Sequence, residues 1–262
     1  SSKIESIIER TDTDIMEITS PVIQSEDRNT FSYCLMLKEQ TILSRQDHSV
    51  CSSMCYEMPI ILSFDEELQE YTTSSDKNPG VAAVNAIFEQ KCRNFFEDAA
   101  EFTALSKELA THHAGELGKF YNELKTQVTQ CDKSIFSVCQ IVHWCTYGLE
   151  NWSISGLTFN LETGELLTLD AFLNMDYATF NNRILDSLFD NILNDWRTDT
   201  KKEFYKSLFK DFSDHEFFCA DGSLYIIFPA ISNEDDLIVQ WSIVDSIPVE
   251  CFYGTFTHES NI

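Results

Sequence analysis

The residue types that carry chemistry are present in this chain, but at spacings that catalysis does not use. A helical zinc protease needs two histidines four residues apart with a glutamate beside the first, so that one face holds both ligands and the base. His112-His113 and His215-Glu216 offer neither spacing. There is no Gly-x-Ser-x-Gly elbow to expose a nucleophilic serine. Gly115-Glu116-Leu117-Gly118-Lys119-Phe120 resembles a phosphate loop only faintly. It lacks the first glycine at the required spacing and the hydroxyl after the lysine, so the backbone cradle and the Mg²⁺ ligand are both missing. Asp12-Thr13-Asp14 and Glu234-Asp235-Asp236 gather oxygens that suit a hard cation, yet neither has the spaced ligands of a calcium loop, and both read as solvated acidic surface. His143 lies inside an apolar run with no acid or nucleophile near it in sequence, and reads as a core or interface histidine. The expectation is therefore no catalytic residue, no metal and no cofactor.

Binding is the chemistry that remains. Tyr147, Glu150 and Trp152 gather at the tip of an expected hairpin. Aromatic side chains on a loop held by a rigid sheet are a common way to build a contact surface. The competing reading is that Trp152 closes the end of a core. Asn151-Trp152-Ser153 is also a glycosylation sequon, which matters only in a source that glycosylates secreted proteins.

The elements that must hold these residues follow from periodicity. Phe31–Leu37 and Cys51–Leu62 read as strands, the second carrying Pro59, which suits an edge or a bulge because proline gives a ladder no N–H. A further possible strand spans Ile15–Ile23, broken by Pro21, and Asp65–Asn78 reads as a flexible loop. Asn78-Pro79 opens a helix, asparagine as cap and proline in the first turn. Its apolar residues, Val81, Val84, Phe88, Cys92, Phe95, Ala99, Phe102, Leu105 and Leu109, recur at steps of three or four, about eight turns. Phe120–Leu124 reads as one more helical turn. Ser134–Tyr147 and Trp152–Leu161 form a central hairpin, and Leu157–Leu173 reads as a hairpin passing into a short helical turn through Gly164. Phe180, Ile184, Leu188, Ile192 and Trp196 mark a second helix and Thr200–Phe212 a third. Asp221-Gly222 joins two short strands, and Leu237–Val244 is another. This order predicts an α+β fold, with antiparallel sheets packed against one long central helix and a second amphipathic helix. It divides into residues 1–130, the N-terminal strands plus the long helix, and residues 131–262, a hairpin-helix-hairpin module; a single compact unit is the alternative.

Composition bounds the partners. The chain has 262 residues with 43 acidic and 18 basic side chains, a net charge of −25. Nucleic acid and anionic membrane both demand a basic footprint, so neither is expected. No apolar run approaches the ~18 residues of a membrane span. The Ser1-Ser2-Lys3 start fits a chain trimmed of a leader or an N-terminal anchor, the only membrane attachment expected. Nine cysteines form no Cys-x-x-Cys, which disfavours a zinc ribbon or a thioredoxin-type site. Cys139 and Cys145 lie about 20 Å apart on one extended segment, too far to pair. An odd count leaves at least one thiol unpaired, and buried thiols acting as small hydrophobes are the simpler reading.

Two segments together resemble a known bacterial family. Phe159-Asn160-Leu161-Glu162-Thr163-Gly164-Glu165-Leu166-Leu167-Thr168-Leu169-Asp170-Ala171-Phe172-Leu173 is similar to its F-D-L-x-T-G-K-x-L-T-L-D-D-L-F signature. Phe217-Phe218 with Asp221-Gly222-Ser223-Leu224-Tyr225-Ile226-Ile227-Phe228 is similar to its F-x-L-x-x-D-G-L-x-I-x-F hairpin. Val84-Asn85-Ala86-Ile87-Phe88 through Phe95 resembles the helix opening of the domain that precedes it. This pair of domains of unknown function occurs outside the membrane, in a lysozyme-sensing anti-sigma factor, beside peptidoglycan deacetylase domains and in lipoproteins. The resemblance covers roughly Met58–Val249 and implies a secreted or surface-anchored, non-catalytic binding module. The sequence departs from the pattern in two expected contact loops. Tyr147–Trp152 stands where the family often has Gly-Gly-Ala-His, and Pro229–Glu234 stands where it has a tyrosine-rich segment.

Three functions follow as expectations. The first is an extracytoplasmic binding or sensing module for a cationic protein such as lysozyme, with the acidic charge steering encounter. The second is a cell-wall glycan (peptidoglycan) binder that stacks sugars on Tyr147 and Trp152. The third is a hydrolase, which would need two carboxylates facing each other about 5–10 Å apart.

Overall fold

The structure is a computed structural model that describes residues 8–11, 17–18, 31–44, 50–73, 77–112, 120–146, 149–191, 198–230, 236–243 and 247–253. Strands β1 (Ile8–Thr11), β2 (Glu17–Ile18), β3 (Ser32–Ser44), β4 (Val50–Asp65) and β5 (Glu70–Thr72) precede helix α1 (Pro79–His112). Strands β6 (Phe120–Cys131), β7 (Ile135–Thr146) and β8 (Leu149–Asn160) come next, then helices α2 (Tyr177–Asn191) and α3 (Thr198–Leu208). The chain closes with β9 (Glu216–Ala220), β10 (Ser223–Phe228), β11 (Leu237–Ser242) and β12 (Ile247–Tyr253). One sheet runs β1-β3-β4-β6-β7-β8, with β2 added to β3 and β5 to β4; the other runs β12-β11-β10-β9.

This corrects the expected class of α+β, with antiparallel sheets packed on one long central helix and a second amphipathic helix. The described chain is mostly β, and the larger sheet is mixed. β4 and β6 run parallel, from Ser52 opposite Phe120 to Tyr56 opposite Leu124. Parallel neighbours need a long crossover between them, and the 34-residue α1 supplies it. So α1 serves one β-α-β unit rather than the whole chain. Phe120–Leu124, expected as helix, opens β6, and the loop expected over Asp65–Asn78 holds β5, which pairs back on the end of β4.

Two compact units are present. The first comprises Ser1–Thr126, Ile141–Trp152 and Glu162–Gly164; the second comprises Gln127–Gln140, Ser153–Leu161 and Glu165–Ile262.

In the first unit α1 starts as its sequence dictates, with the Ala82 N–H donating to the Asn78 carbonyl at 3.1 Å. Val81, Val84, Phe88 and Cys92 are buried at steps of three and four, the stripe that packs on β4. Phe95 meets Tyr56 edge-on at 5.3 Å. The side chains of Ala99, Phe102, Leu105 and Leu109 lie outside those described. Pro59 sits opposite Leu35 of β3. On its other edge β4 is between partners, because β6 pairs with residues 52–56 and β5 with residues 63–65. Backbone N–H groups alternate sides along a strand, so Pro59 and Ile61 address the same edge. There the Asn85 amide of α1 takes the place of a strand: the Ile61 N–H donates to Asn85 Oδ1 at 2.9 Å, and Asn85 Nδ2 donates to the Ile61 carbonyl at 3.0 Å. Just before it, Thr126 Oγ1 donates to the Glu57 carbonyl at 2.6 Å. Asn85→Ala orphans both backbone groups of a fully buried Ile61 and should cost about 2 kcal/mol. Asn85→Asp should not restore it, since a carboxylate cannot donate to the carbonyl; urea midpoints for the two variants check this, and an Asn85→Asp protein as stable as the parent would refute it.

In the second unit Asp176 caps α2, accepting from the Thr179 N–H at 2.9 Å, and that bond holds its carboxyl below the usual carboxylate range. Phe180, Ile184 and Leu188 of α2 and Tyr205 of α3 pack with Leu224, Ile226 and Phe228 of β10 and with Val239 and Trp241 of β11. The β9–β10 turn has both central residues at positive φ, 50° at Asp221 and 73° at Gly222, as a two-residue hairpin turn requires. β12 ends its sheet, and its Pro248 falls opposite Trp241 where the register shifts, the edge position a proline tolerates. β8 ends the other sheet, and its open edge is closed within this unit by two side chains and one backbone group. The Ile154 N–H donates to Asp236 Oδ2 at 2.8 Å and the Gly156 N–H to Glu216 Oε2 at 3.4 Å, while the Leu167 N–H donates to the Thr158 carbonyl at 2.7 Å. Filling the unpaired groups of an edge in this way removes a template for pairing with another chain.

Candidate functional site

The first unit brings four side chains from three adjacent strands onto one spot. Tyr121 is the second residue of β6, His143 lies near the end of β7, and Glu150 and Trp152 open β8. Residues two apart on a strand face the same side, so Glu150 and Trp152 share a face. The His143 imidazole stacks on the Trp152 indole with centroids 3.5 Å apart and planes 6° from parallel. Tyr121 fixes the imidazole from the other side: its ring meets His143 edge-on at 4.8 Å, and its Oη lies 3.0 Å from His143 Nε2. The Glu150 carboxylate comes within 3.8 Å of the same nitrogen. Burial, together with the Glu150 carboxylate, pushes the Tyr121 phenol up to about 12, so it stays protonated and donates.

Exposure divides these four into support and contact. The His143 side chain is 17% exposed, that of Glu150 61%, and Trp152 50%. The indole therefore lies in the surface with one face on a seated imidazole, and the Glu150 carboxylate lies beside that imidazole. A large exposed aromatic that is also held flat can stack on a ligand without first losing rotamer freedom.

Of the residues expected to form a contact surface, Glu150 and Trp152 are brought together, and Tyr147 lies outside the described residues. His143 and Tyr121 were missed. His143 is a partly buried histidine as its apolar run predicts, but its neighbours are the contact residues themselves. The pattern Tyr121, Glu123, Lys125 alternating with Phe120, Asn122, Leu124 was the available signal, since period two marks a strand and places Tyr121 on the face away from the core.

The other candidates have structural employment or lie out of view. Asp12-Thr13-Asp14, His113, Gly115–Lys119 and Glu234-Asp235 lie outside the described residues, as does the side chain of His112. Asp236 spends both carboxylate oxygens on backbone, Oδ2 on Ile154 and Oδ1 on the Ala230 N–H at 2.8 Å. Among the described residues, Cys34, Cys55, Cys92, Cys139, Cys145 and Cys219 are free thiols. Burial pushes the Cys131, Cys139 and Cys219 thiols up to about 12, which makes them inert as nucleophiles. Cys219 belongs to a buried polar cluster of the second unit, its N–H donating to Ser137 Oγ at 2.8 Å, and Ser137 and Thr158 hydroxyls lie 2.8 Å apart. Among the described residues, no three His, Cys, Asp or Glu side chains are placed to hold a metal, and no helix is long and apolar enough to cross a membrane.

No protein-family model and no curated protein matches this sequence. Among solved structures, the chain is similar to two bacterial proteins of the DUF3298 family. One, from Pseudomonas aeruginosa PAO1, is 10% identical with a TM-score of 0.40, over 92% of this chain and 94% of that one. The other, from Bacteroides fragilis, is 12% identical with a TM-score of 0.39, over 93% of this chain and 91% of that one.

Proposed function

We propose that this chain is a non-catalytic, extracytoplasmic module that binds a cationic protein, with Trp152 and Glu150 as its contact. The observation that carries the reading is a tryptophan 50% exposed yet stacked at 3.5 Å on a seated histidine. Tryptophans in such positions are the residue type most enriched among interface hot spots. A net charge of −25 supports a basic partner, since it raises the rate of encounter with one and repels acidic competitors. The resemblance of Phe159–Leu173 to the extracytoplasmic domains of a lysozyme-sensing anti-sigma factor makes lysozyme the first partner to try.

The purified chain titrated with hen-type lysozyme at low and moderate salt tests this. One-to-one binding that survives moderate salt is the expected result, because a contact that covers an exposed aromatic is screened less than loose charge attraction. No binding, or binding that vanishes as soon as salt is added, would dismiss lysozyme as the partner, and failure with oligoarginine as well would dismiss the cationic-protein reading. One observation favours a second function: an open indole face also suits a sugar ring, and a cell-wall glycan binder would be indifferent to salt and lose its ligand in Trp152→Ala.

A further inference from the structure

We propose that the Trp152 platform is a guanidinium site: it receives one arginine side chain of a protein partner, laid flat on the indole, with edge N–H groups donated to the Glu150 carboxylate. This rests on the reading of the chain as a binder of a cationic protein and names the group on that partner which the site recognises.

Three features select this chemistry. First, indole is the aromatic ring that attracts cations most strongly, and here one of its faces is already covered by His143, so a single cation is accommodated on the other. Second, Glu150 and Trp152 share a face of β8 with Cα atoms about 7 Å apart, and the Glu150 carboxylate, which rests beside the imidazole, is exposed enough to turn to the edge of a group stacked on the indole. A guanidinium is the side chain that can do both things at once, since it is planar, stacks on aromatic faces and presents its donors in its own plane. An ammonium has no plane to stack and no fork to direct sideways. Third, Glu150 keeps its capacity to accept. It stands 3.8 Å from His143 Nε2, beyond hydrogen-bond range, and the acceptor sites of a carboxylate exceed what Tyr121 uses. The carboxylate is 61% exposed, and the site lies in a protein with 25 more acidic than basic side chains, so nothing in the overall field opposes a cation. Tyr121 is a positioning residue: it holds the imidazole that holds the indole.

The test uses the full chain and three variants, Trp152→Ala, Trp152→Phe and Glu150→Gln, titrated at moderate salt with oligoarginine and oligolysine peptides of equal length and with lysozyme. Oligoarginine should bind more tightly than oligolysine, by about tenfold. Trp152→Ala should weaken oligoarginine binding by about thirtyfold or more, as loss of a hot-spot tryptophan does. Trp152→Phe should retain part of it, and Glu150→Gln should cost about tenfold. Both side chains are exposed enough that their replacement leaves the fold intact, which unchanged unfolding midpoints would document. Equal affinity for the two peptides, or a Trp152→Ala chain that binds oligoarginine as the parent does, would overturn the guanidinium site. Lysozyme separates the two claims: tight binding of lysozyme by parent and Trp152→Ala alike would sink this site and leave the cationic-partner reading standing. Oligoarginine binding that depends on Trp152, without any for lysozyme, would uphold the site and remove lysozyme as the partner.

Discussion

Gly156→Ala should destabilise the protein by about 3 kcal/mol or more, the upper end of what an overpacked site costs. The reason is a close approach of two backbones within the second unit. A Cβ on Gly156 of β8 would lie 2.4 Å from both the carbonyl carbon and the carbonyl oxygen of Phe217 in β9. A side chain in the way could rotate; a backbone carbonyl cannot, so β9 or β8 must shift. Such a shift would disturb the bond from the Gly156 N–H to Glu216 and the seat of Phe217, which is buried against Phe172. Two other glycines calibrate the claim. Gly222 has φ +73° and open space around the absent Cβ, so Gly222→Ala should cost only about 1 kcal/mol, for conformation alone. Gly164, at φ +79° with Ala83 Cβ 2.7 Å and the Gly80 carbonyl oxygen 3.0 Å from the absent Cβ in the first unit, combines both penalties. Urea unfolding of the three alanine variants, compared at constant m, decides the order. If Gly156→Ala proves no worse than Gly222→Ala, the close approach is not a constraint on the fold.

These glycines also show which parts of the fold are written locally. Asp221-Gly222 announces its turn because two positive φ values are needed at adjacent positions and few residues supply them. Asn78-Pro79 announces α1 for a similar reason, and Leu157–Leu173 behaves as a hairpin, with the Asn160 N–H donating to the Glu165 carbonyl at 2.9 Å and Gly164 in the left-handed region. Gly156 gives no such sign, since its requirement comes from Phe217, sixty-one residues later. The parallel pairing of β4 with β6 is non-local in the same sense, and with it went the fold class. Without a partner strand, Phe120–Leu124 looks like the end of a helix that precedes it; only the alternation continuing through Thr126 contradicts that reading. The candidate site divides along the same line. Glu150 and Trp152 are two apart and were visible as a pair. His143 has no acid beside it in sequence, and the groups that engage it are Tyr121, twenty-two residues before, and Trp152 and Glu150 across the strand pair.

His215 should make stability fall between pH 6.5 and about pH 4, by about 3 kcal/mol over the whole interval. Its imidazole is 5% exposed, stacked on Phe209 with centroids 4.1 Å apart, and edge-on to Phe180 at 5.3 Å. Nε2 lies 3.3 Å from Tyr177 Oη, and Nδ1 has no hydrogen-bond partner. Burial among these rings disfavours the charged form and pushes the group down from 6.5 to about 4; Asp214 and Asp211 pull the other way and do not prevail. The unfolded chain therefore binds the proton first as pH falls. Stability is complete above pH 6.5, declines through the interval in which only the unfolded form is protonated, and has lost the whole contribution once the folded form titrates near 4. The capped carboxylates act in a different window. The hydrogen bonds from Ser213 to Asp211, from Thr179 to Asp176 and from Leu68 to Asp65 hold these groups below the usual carboxylate value of 3.8, so their contribution disappears only as pH drops below that. His215→Phe separates the two. It keeps an aromatic ring among aromatic neighbours and removes the titration, while the effect of discharging a protein of net charge −25 is common to parent and variant and cancels in the difference. Unfolding free energies of both proteins at intervals from pH 7.5 to about pH 4 should diverge in the parent's favour as pH rises. Parallel curves over that range would show that His215 keeps an ordinary affinity for protons, and that the aromatic pocket around it admits water.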